Sequence, residues 1–368
     1  MKSKQSSNGW PESTAGTKLT RREFVSRVTA AALGAGHLLN SVAGSAPGKG
    51  SNSMKYRELG KTGISVSEIG FGSHVSRQNM NDPQERAKQI RKGLDLGINL
   101  FDIYDHNYRQ FAPMREILSS VRQEVVISLV STSRPTKEVE YALKALNTEV
   151  IDLFRMYLSS KESKEALEVR FGALQQAKKQ GKVRAVGIVG HDQTKLLQLL
   201  RIFPEVDYLM FPYNFRHKKL SPLSPVEPAS PARKRDAEMR DCILVPCADP
   251  EFAGLVKDTG VGLIAMKPFG GGGLLKLKPS DPWLHNQQET HFSLPQAALK
   301  FILGAPQISS TIPAMNSMAE VEENVEALQG KGLSENEARC LQLYNEAAEQ
   351  SEGEYLPQDY RWLEQWKV

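Results

Sequence analysis

From Met54 onward the chain alternates short apolar runs with longer amphipathic ones. Eight runs, at 68–72, 99–104, 125–131, 150–158, 183–190, 206–213, 262–268 and 308–314, have the length and composition of strands. Between them the pattern predicts helices near 83–97, 113–122, 136–148, 163–180, 193–202, 251–259, 294–303 and 318–329. Leu167, Phe171, Leu174 and Ala177 show the three- and four-residue spacing of one buried helix face. The run Val183 to Val189 is apolar apart from Arg184, as expected of a strand covered on both faces. Ahead of the first run, Tyr56 to Leu59 and Ile64 to Val66 flank Gly60-Lys61-Thr62-Gly63 and predict a β-hairpin.

Eight successive βα units with mostly short connections predict an α/β fold, a closed (β/α)8 TIM barrel with an N-terminal β-hairpin and a C-terminal helical extension. An open doubly wound sheet would favour a GxGxxG turn after its first strand, and Gly70-Phe71-Gly72-Ser73-His74 lacks that spacing. Residues 215–250 carry Pro222, Pro225, Pro228 and Pro231 and predict a long loop at the sixth strand's exit, either a lid or a solvated basic loop. The segment 335–368 begins helically and ends in Tyr355, Tyr360, Trp362 and Trp366. Such a tail is expected to pack on the barrel and is placed to cover one end.

The first 43 residues break this pattern. A polar start is followed by Thr20-Arg21-Arg22-Glu23-Phe24 and a mildly apolar run to Val42-Ala43, the order of an export signal. The arginine pair resembles a twin-arginine signal, read by export machinery rather than acting as an anchor. An amphipathic helix retained on the protein is the alternative. The expected division is a signal at 1–43, a Gly/Ser/Pro linker at 44–54, a barrel at 55–334, and a helix and tail at 335–368, with the mature chain in the periplasm or cell envelope. No run approaches the length of a stable membrane span.

Composition changes little else. With 40% hydrophobic and 24% charged residues among 368, the chain can bury a full core. Removing the leader's six Lys/Arg and two Glu takes the balance from 47 against 42 to 41 against 40, or +1. That near-neutral body gives no electrostatic case for nucleic acid. Cys242, Cys247 and Cys340 match no metal-ligand spacing. Cys242 and Cys247 are either a disulfide pair or two buried thiols.

Several short segments, in order, resemble the aldo/keto reductases. They are Lys55-Tyr56-Arg57-Glu58-Leu59-Gly60, Gly97-Ile98-Asn99-Leu100-Phe101-Asp102, Ile151-Asp152-Leu153-Phe154, Gly181-Lys182-Val183-Arg184-Ala185-Val186-Gly187, Pro212-Tyr213-Asn214, Ala265-Met266-Lys267-Pro268 and Ile312-Pro313-Ala314 with Glu323-Asn324. The resemblance implies hydride transfer between NADP or NAD and a small-molecule carbonyl substrate. It also implies a Tyr proton donor tuned by a Lys and an Asp, and a His that orients the carbonyl. A phenol near its ordinary pKa donates poorly at neutral pH, and a neighbouring cation lowers that barrier.

Carried over residue by residue, the resemblance places Asp102 at the family's Asp. Tyr108 is the candidate acid, with Tyr104 and His106 as alternatives. Val130 stands at the Lys position and Tyr157 at the His position. For the cofactor it implies His191, Asn214, Lys267, the turn Gly270-Gly271-Gly272, Ser310, Ile312, Glu323 and Asn324. Val189-Gly190, Met210 and Met266 stand where other cofactor contacts are usual, and Ser317 where a cation would hold a 2′-phosphate. The family branch with an iron–sulfur cluster has C-terminal cysteines, and this chain ends without them. The expectation is an NAD(P)-dependent oxidoreductase with a degenerate catalytic tetrad. The alternatives are a catalytically inactive exported barrel that binds a small ligand or a partner protein, and an isomerase or lyase using Asp102.

Overall fold

The computed structural model describes residues 54–72, 82–103, 108–158, 162–191, 193–218, 250–287, 293–330 and 332–366. The leader, the linker up to residue 53, the Cys242 and Cys247 pair and most of the loop 215–250 lie outside the described residues.

Two short strands, β1 (Tyr56–Glu58) and β2 (Ser65–Ser67), pair antiparallel as the predicted hairpin. All eight predicted barrel strands follow: β3 (Phe71–Gly72), β4 (Leu100–Ile103), β5 (Val126–Ser131), β6 (Ile151–Tyr157), β7 (Val183–Val189), β8 (Tyr208–Pro212), β9 (Gly262–Met266) and β10 (Ile308–Ile312). Their spatial order is their chain order, and every neighbouring pair is parallel. Parallel bridges Ile69 to Thr311 and Gly72 to Ala314 join first strand to last and close the ring.

Alternation along each strand divides the core in two. Leu100, Val126, Val130, Leu153, Ala185, Tyr208, Met210 and Ile264 fill the barrel's interior. Ile127, Leu129, Phe154, Val186, Ile188, Leu209 and Leu263 face outward onto the helices. Burial on both faces is why these strands read as continuous apolar runs.

Several helices begin where the sequence supplies a cap. Asp82 accepts from the Glu85 N–H at the start of α1 (Pro83–Asp95), with Pro83 in the first turn. The second, α2 (Tyr108–Val121), begins one turn before Pro113, which the sequence pattern had suggested as its first residue. Pro113 is therefore inside the helix, where it removes one i to i−4 hydrogen bond without ending it. The next three are α3 (Pro135–Leu146), α4 (Lys164–Lys179) and α5 (Gln193–Ile202), followed by α6 (Pro250–Thr259). A short helix, α7 (Pro282–Gln287), was not anticipated. Ser293 and Ser317 cap α8 (Leu294–Leu303) and α9 (Met318–Glu326). Ser334 and Glu337 form a reciprocal capping box on α10 (Glu335–Gln350).

The hairpin seats under the strands' amino ends. Gly262 has no room for a Cβ because Leu59 would lie 2.6 Å from it, so bare backbone there admits the leucine. At the opposite end the tail, a 3-10 run from Gln358 to Trp366, lies over the loops that leave the strands' carboxyl ends. Among the described residues no helix is long and apolar enough to cross a membrane.

Candidate functional site

Asp102 is the third residue of β4 and pairs in register with Ser128 of β5, while Val130 of β5 pairs with Arg155 of β6. Arg155 shares strand parity with Tyr157, and its side chain enters the barrel from the neighbouring strand. Its guanidinium grips Asp102 with two nitrogens, Nη1 to Oδ1 at 2.6 Å and Nη2 to Oδ2 at 3.1 Å. Nη1 also donates to Ser128 Oγ at 2.8 Å, and Ser128 Oγ donates to Asp102 Oδ1 at 2.8 Å. Arg155 has no exposed surface and Asp102 only 6%. A charge pair this deep persists only when its hydrogen bonds are well formed, and this one is bidentate and braced by a hydroxyl.

Tyr208 lies fully buried beside the pair, its ring so close over Gly187 that an added Cβ would sit 2.4 Å from it. Burial raises the phenol well above its ordinary value, with Arg155 opposing. Tyr208 Oη and Arg155 Nε are both buried without a hydrogen-bond partner.

Above this floor stand Lys267 and His191. Lys267 follows β9 with φ of +60°, a left-handed conformation uncommon for a side-chain-bearing residue. Its carbonyl is clamped by Asn214 Nδ2 at 2.8 Å and by the Gly270 N–H at 3.0 Å. Its Nζ lies 3.2 Å from Tyr360 Oη and 4.4 Å from the Tyr360 ring centroid. Burial pushes Lys267 down to about 8, and Asp102 works against that. His191, just after β7, stacks on Trp362 at 3.6 Å between centroids and meets Tyr157 edge-on at 5.6 Å. Burial, helped by Lys267, pushes His191 down to about 3, which leaves a neutral imidazole at physiological pH.

A cavity of about 590 Å³ opens over this floor on the strands' carboxyl-end rim. Asp102, Arg155, His191, Lys267 and Tyr360 line one part of it, Gly271 and Gly272 another, and Asn316, Glu320, Glu323 and Asn324 a third. Gly271 and Gly272 both have positive φ, and Gly272 presents bare backbone to open space.

Of the residues singled out from sequence, Asp102, His191, Lys267, Gly271, Gly272, Ile312, Glu323 and Asn324 line this cavity, with Gly270 opening the same turn. Tyr157 reaches it through His191. Tyr108 begins α2, but its side chain lies outside the described residues, as do Tyr104 and His106. Asn214 braces the backbone: besides Lys267 it accepts from the Arg216 and His217 N–H groups. Ser310 is buried in the barrel wall, with its hydroxyl 3.4 Å from the Glu68 carbonyl. Ser317 caps α9, Glu323 accepts from Ser293 Oγ at 2.8 Å, and Val130 is packed into the inner core.

Arg155, Ser128, Tyr360 and Trp362 were not among those sequence candidates. Arg155 had a signal, a charge in the middle of the otherwise apolar run Leu153 to Tyr157. Tyr360 and Trp362 were visible only as part of an aromatic tail expected to pack on the barrel, with no role in the site.

The family model described as "Aldo/keto reductase family" matches residues 68–344. The chain is 23% identical over 308 residues to L-galactose dehydrogenase of Arabidopsis thaliana, covering 75% of this chain and 88% of that protein. It is 21% identical to L-glyceraldehyde 3-phosphate reductase of Escherichia coli (strain K12), over 77% of this chain and 90% of that one. Among solved structures, an aldo/keto reductase from Klebsiella pneumoniae in complex with NADP and acetate superposes with a TM-score of 0.58. The identity is 16%, covering 81% of this chain and 95% of the other. The holo form of an aldo-keto reductase from Bacillus halodurans gives 0.58 at 19% identity, covering 84% and 99%.

Proposed function

The chain belongs to the aldo/keto reductase family, and from that premise we propose that it reduces a small carbonyl compound with a nicotinamide dinucleotide through a proton relay rebuilt from other strands. The observation that carries this reading is Asp102. It keeps its place at the second barrel strand's exit and faces a cavity walled by a glycine turn and a partly buried lysine. When bound, the reduced nicotinamide supplies two electrons and a hydrogen to the carbonyl carbon.

The residues present fit such a group. Bare backbone at Gly272, which faces open space, permits close approach of a pyrophosphate, and Lys267 adds a cation on the same cavity. Arg155 supplies the positive charge beside Asp102 that Val130 cannot. His191, kept neutral, offers an imidazole that orients a carbonyl without competing for a proton. On the α9 side the charged lining residues are Glu320 and Glu323. Carboxylates there accept from a ribose hydroxyl and repel a further phosphate, which supports NADH over NADPH.

Titration of the full chain with NADH and NADPH, followed by fluorescence, tests this directly. Saturation by NADH with weaker NADPH binding is expected; no binding of either at millimolar nucleotide overturns the reading. The second reading, a barrel that binds without turnover, is favoured by the apolar Val130. Nucleotide binding with no reduction of any compound in an aldehyde, ketone and sugar panel would establish it instead.

Export is a separate part of the proposal, supported by Arg21-Arg22 before Phe24 and the apolar run to Ala43. Fractionation should recover the wild-type chain outside the cytoplasm in a shortened form. Arg21→Lys with Arg22→Lys should leave it inside at full length. Equal distribution of the two overturns the export reading.

A further inference from the structure

We propose that Tyr360, carried into the cavity by the C-terminal tail, is the proton donor of the reaction, and that Lys267 is the cation that holds it ready. The inference rests on the oxidoreductase reading and assigns that reading's acid.

Four observations support it. First, Lys267 Nζ is within 3.2 Å of Tyr360 Oη, so the ammonium can donate to the phenol oxygen. A cation at that range stabilises the phenolate left after the proton departs. Second, the ring has little freedom. A Cβ on Gly271 would lie 2.7 Å from Tyr360 Cγ, so the ring lies flat against bare backbone. Third, Lys267 is held in a left-handed conformation by two hydrogen bonds to its carbonyl, a strain of the kind that marks functional positions. Fourth, among the described tyrosines only Tyr360 lines the cavity. Tyr208 is fully buried in the barrel interior. Tyr355 is bonded to His217 and Glu364, and Tyr157 approaches through His191.

The pair thus assembles a tyrosine, a lysine and an aspartate from three segments: the tail, the exit of β9 and the end of β4. As the carbonyl carbon is reduced, its oxygen becomes an alkoxide and takes the proton from Tyr360 Oη. The O–H bond of the phenol breaks, the O–H bond of the product alcohol forms, and the phenolate is held by the Lys267 ammonium. Tyr360 is partly exposed, so water returns its proton. Asp102, Arg155, His191, Glu320 and Glu323 are the other titratable or charged groups on this cavity. Asp102 favours the protonated lysine, burial opposes it, and His191 stays neutral over the working range.

Three variants of the full chain provide the test: Tyr360→Phe, Lys267→Met and Lys267→Arg. Tyr360→Phe should lower kcat by about 10²–10⁴-fold, the contribution of a positioned acid. Its nucleotide Kd should stay within about threefold of wild type, because a transition-state contact is being removed. Wild-type kcat should fall as pH rises through about 8, where Lys267 loses its proton. Lys267→Arg should keep activity and shift that limb upward. The readout independent of turnover is tyrosinate absorbance without nucleotide. With the cation made permanent by Lys267→Arg, one phenol should ionise ahead of the rest, vanish when Tyr360→Phe is added, and be missing from Lys267→Met. Wild-type turnover by Tyr360→Phe, or an early phenol that persists once Tyr360→Phe is added, overturns the assignment. If nucleotide fails to bind the wild-type chain, the oxidoreductase reading falls by that result, and the absorbance titration still decides the pair.

Discussion

The two ends of this barrel are closed in opposite ways. At the strands' amino ends the hairpin inserts Leu59, Ile64 and Val66 into the inner core. Many of its polar links go to backbone: the Lys61 N–H to the Gly260 carbonyl, and the Arg57 guanidinium to the carbonyls of Leu303, Ala305 and Ile308, while Arg57 Nε also pairs with Glu68. At the carboxyl ends the cover is a tail bearing Tyr355, Tyr360 and Trp362. Beneath it lie a buried ion pair, a neutral histidine and a lysine in a left-handed conformation. Desolvated charge and backbone strain lower stability. One end contributes stability and the other uses part of it to hold groups where chemistry can occur, the division expected of this architecture.

The sharpest way to break that contrast is at the floor of the carboxyl-end cavity. Arg155→Met leaves Asp102 buried without its partner and should cost about 3–5 kcal/mol in urea unfolding. Pairing it with Asp102→Asn should recover most of the loss. A single-variant cost near that of an exposed pair, about 0–1 kcal/mol, would mean the floor is wetter than its burial indicates.

At the other end, Leu59→Ala removes an apolar plug and should cost about 2–5 kcal/mol, with nucleotide affinity unchanged. A matching fall in affinity would show that the two ends are coupled and the division of labour false.

The smallest expected effect concerns His191. Its unfolded form takes a proton near pH 6.5, but the folded form does so only near 3. As pH falls between those values the unfolded state binds a proton that the folded state refuses, so stability declines. Its His191→Phe variant should show a shallower acid limb of unfolding free energy in that window, and an unaltered limb would place the histidine in water.

Much of the frame was legible in the chain. The eight barrel strands, the hairpin and nine of the ten helices among the described residues lie where the sequence pattern placed them, because strand and helix periods are properties of local sequence. Asp102 and the glycine turn were legible for a related reason, since a strand's carboxyl end in this fold is a rim. Tyr157 shows the limit. Strand counting put it at the rim, yet its ring meets His191 rather than the floor, and the cation beside Asp102 comes from Arg155, two residues earlier.

What the sequence determined by itself was the order of elements and which residues end each strand, since both follow from periodicity and capping within a few residues. The tertiary structure alone decided which side chains meet: Arg155 with Asp102 across 53 positions, and Lys267 with Tyr360 across 93. Those meetings depend on strand stagger around a closed ring and on where a tail of 3-10 turns comes to rest. Neither leaves a periodic trace in the chain, because a through-space contact between distant residues is set by the closure of the whole ring.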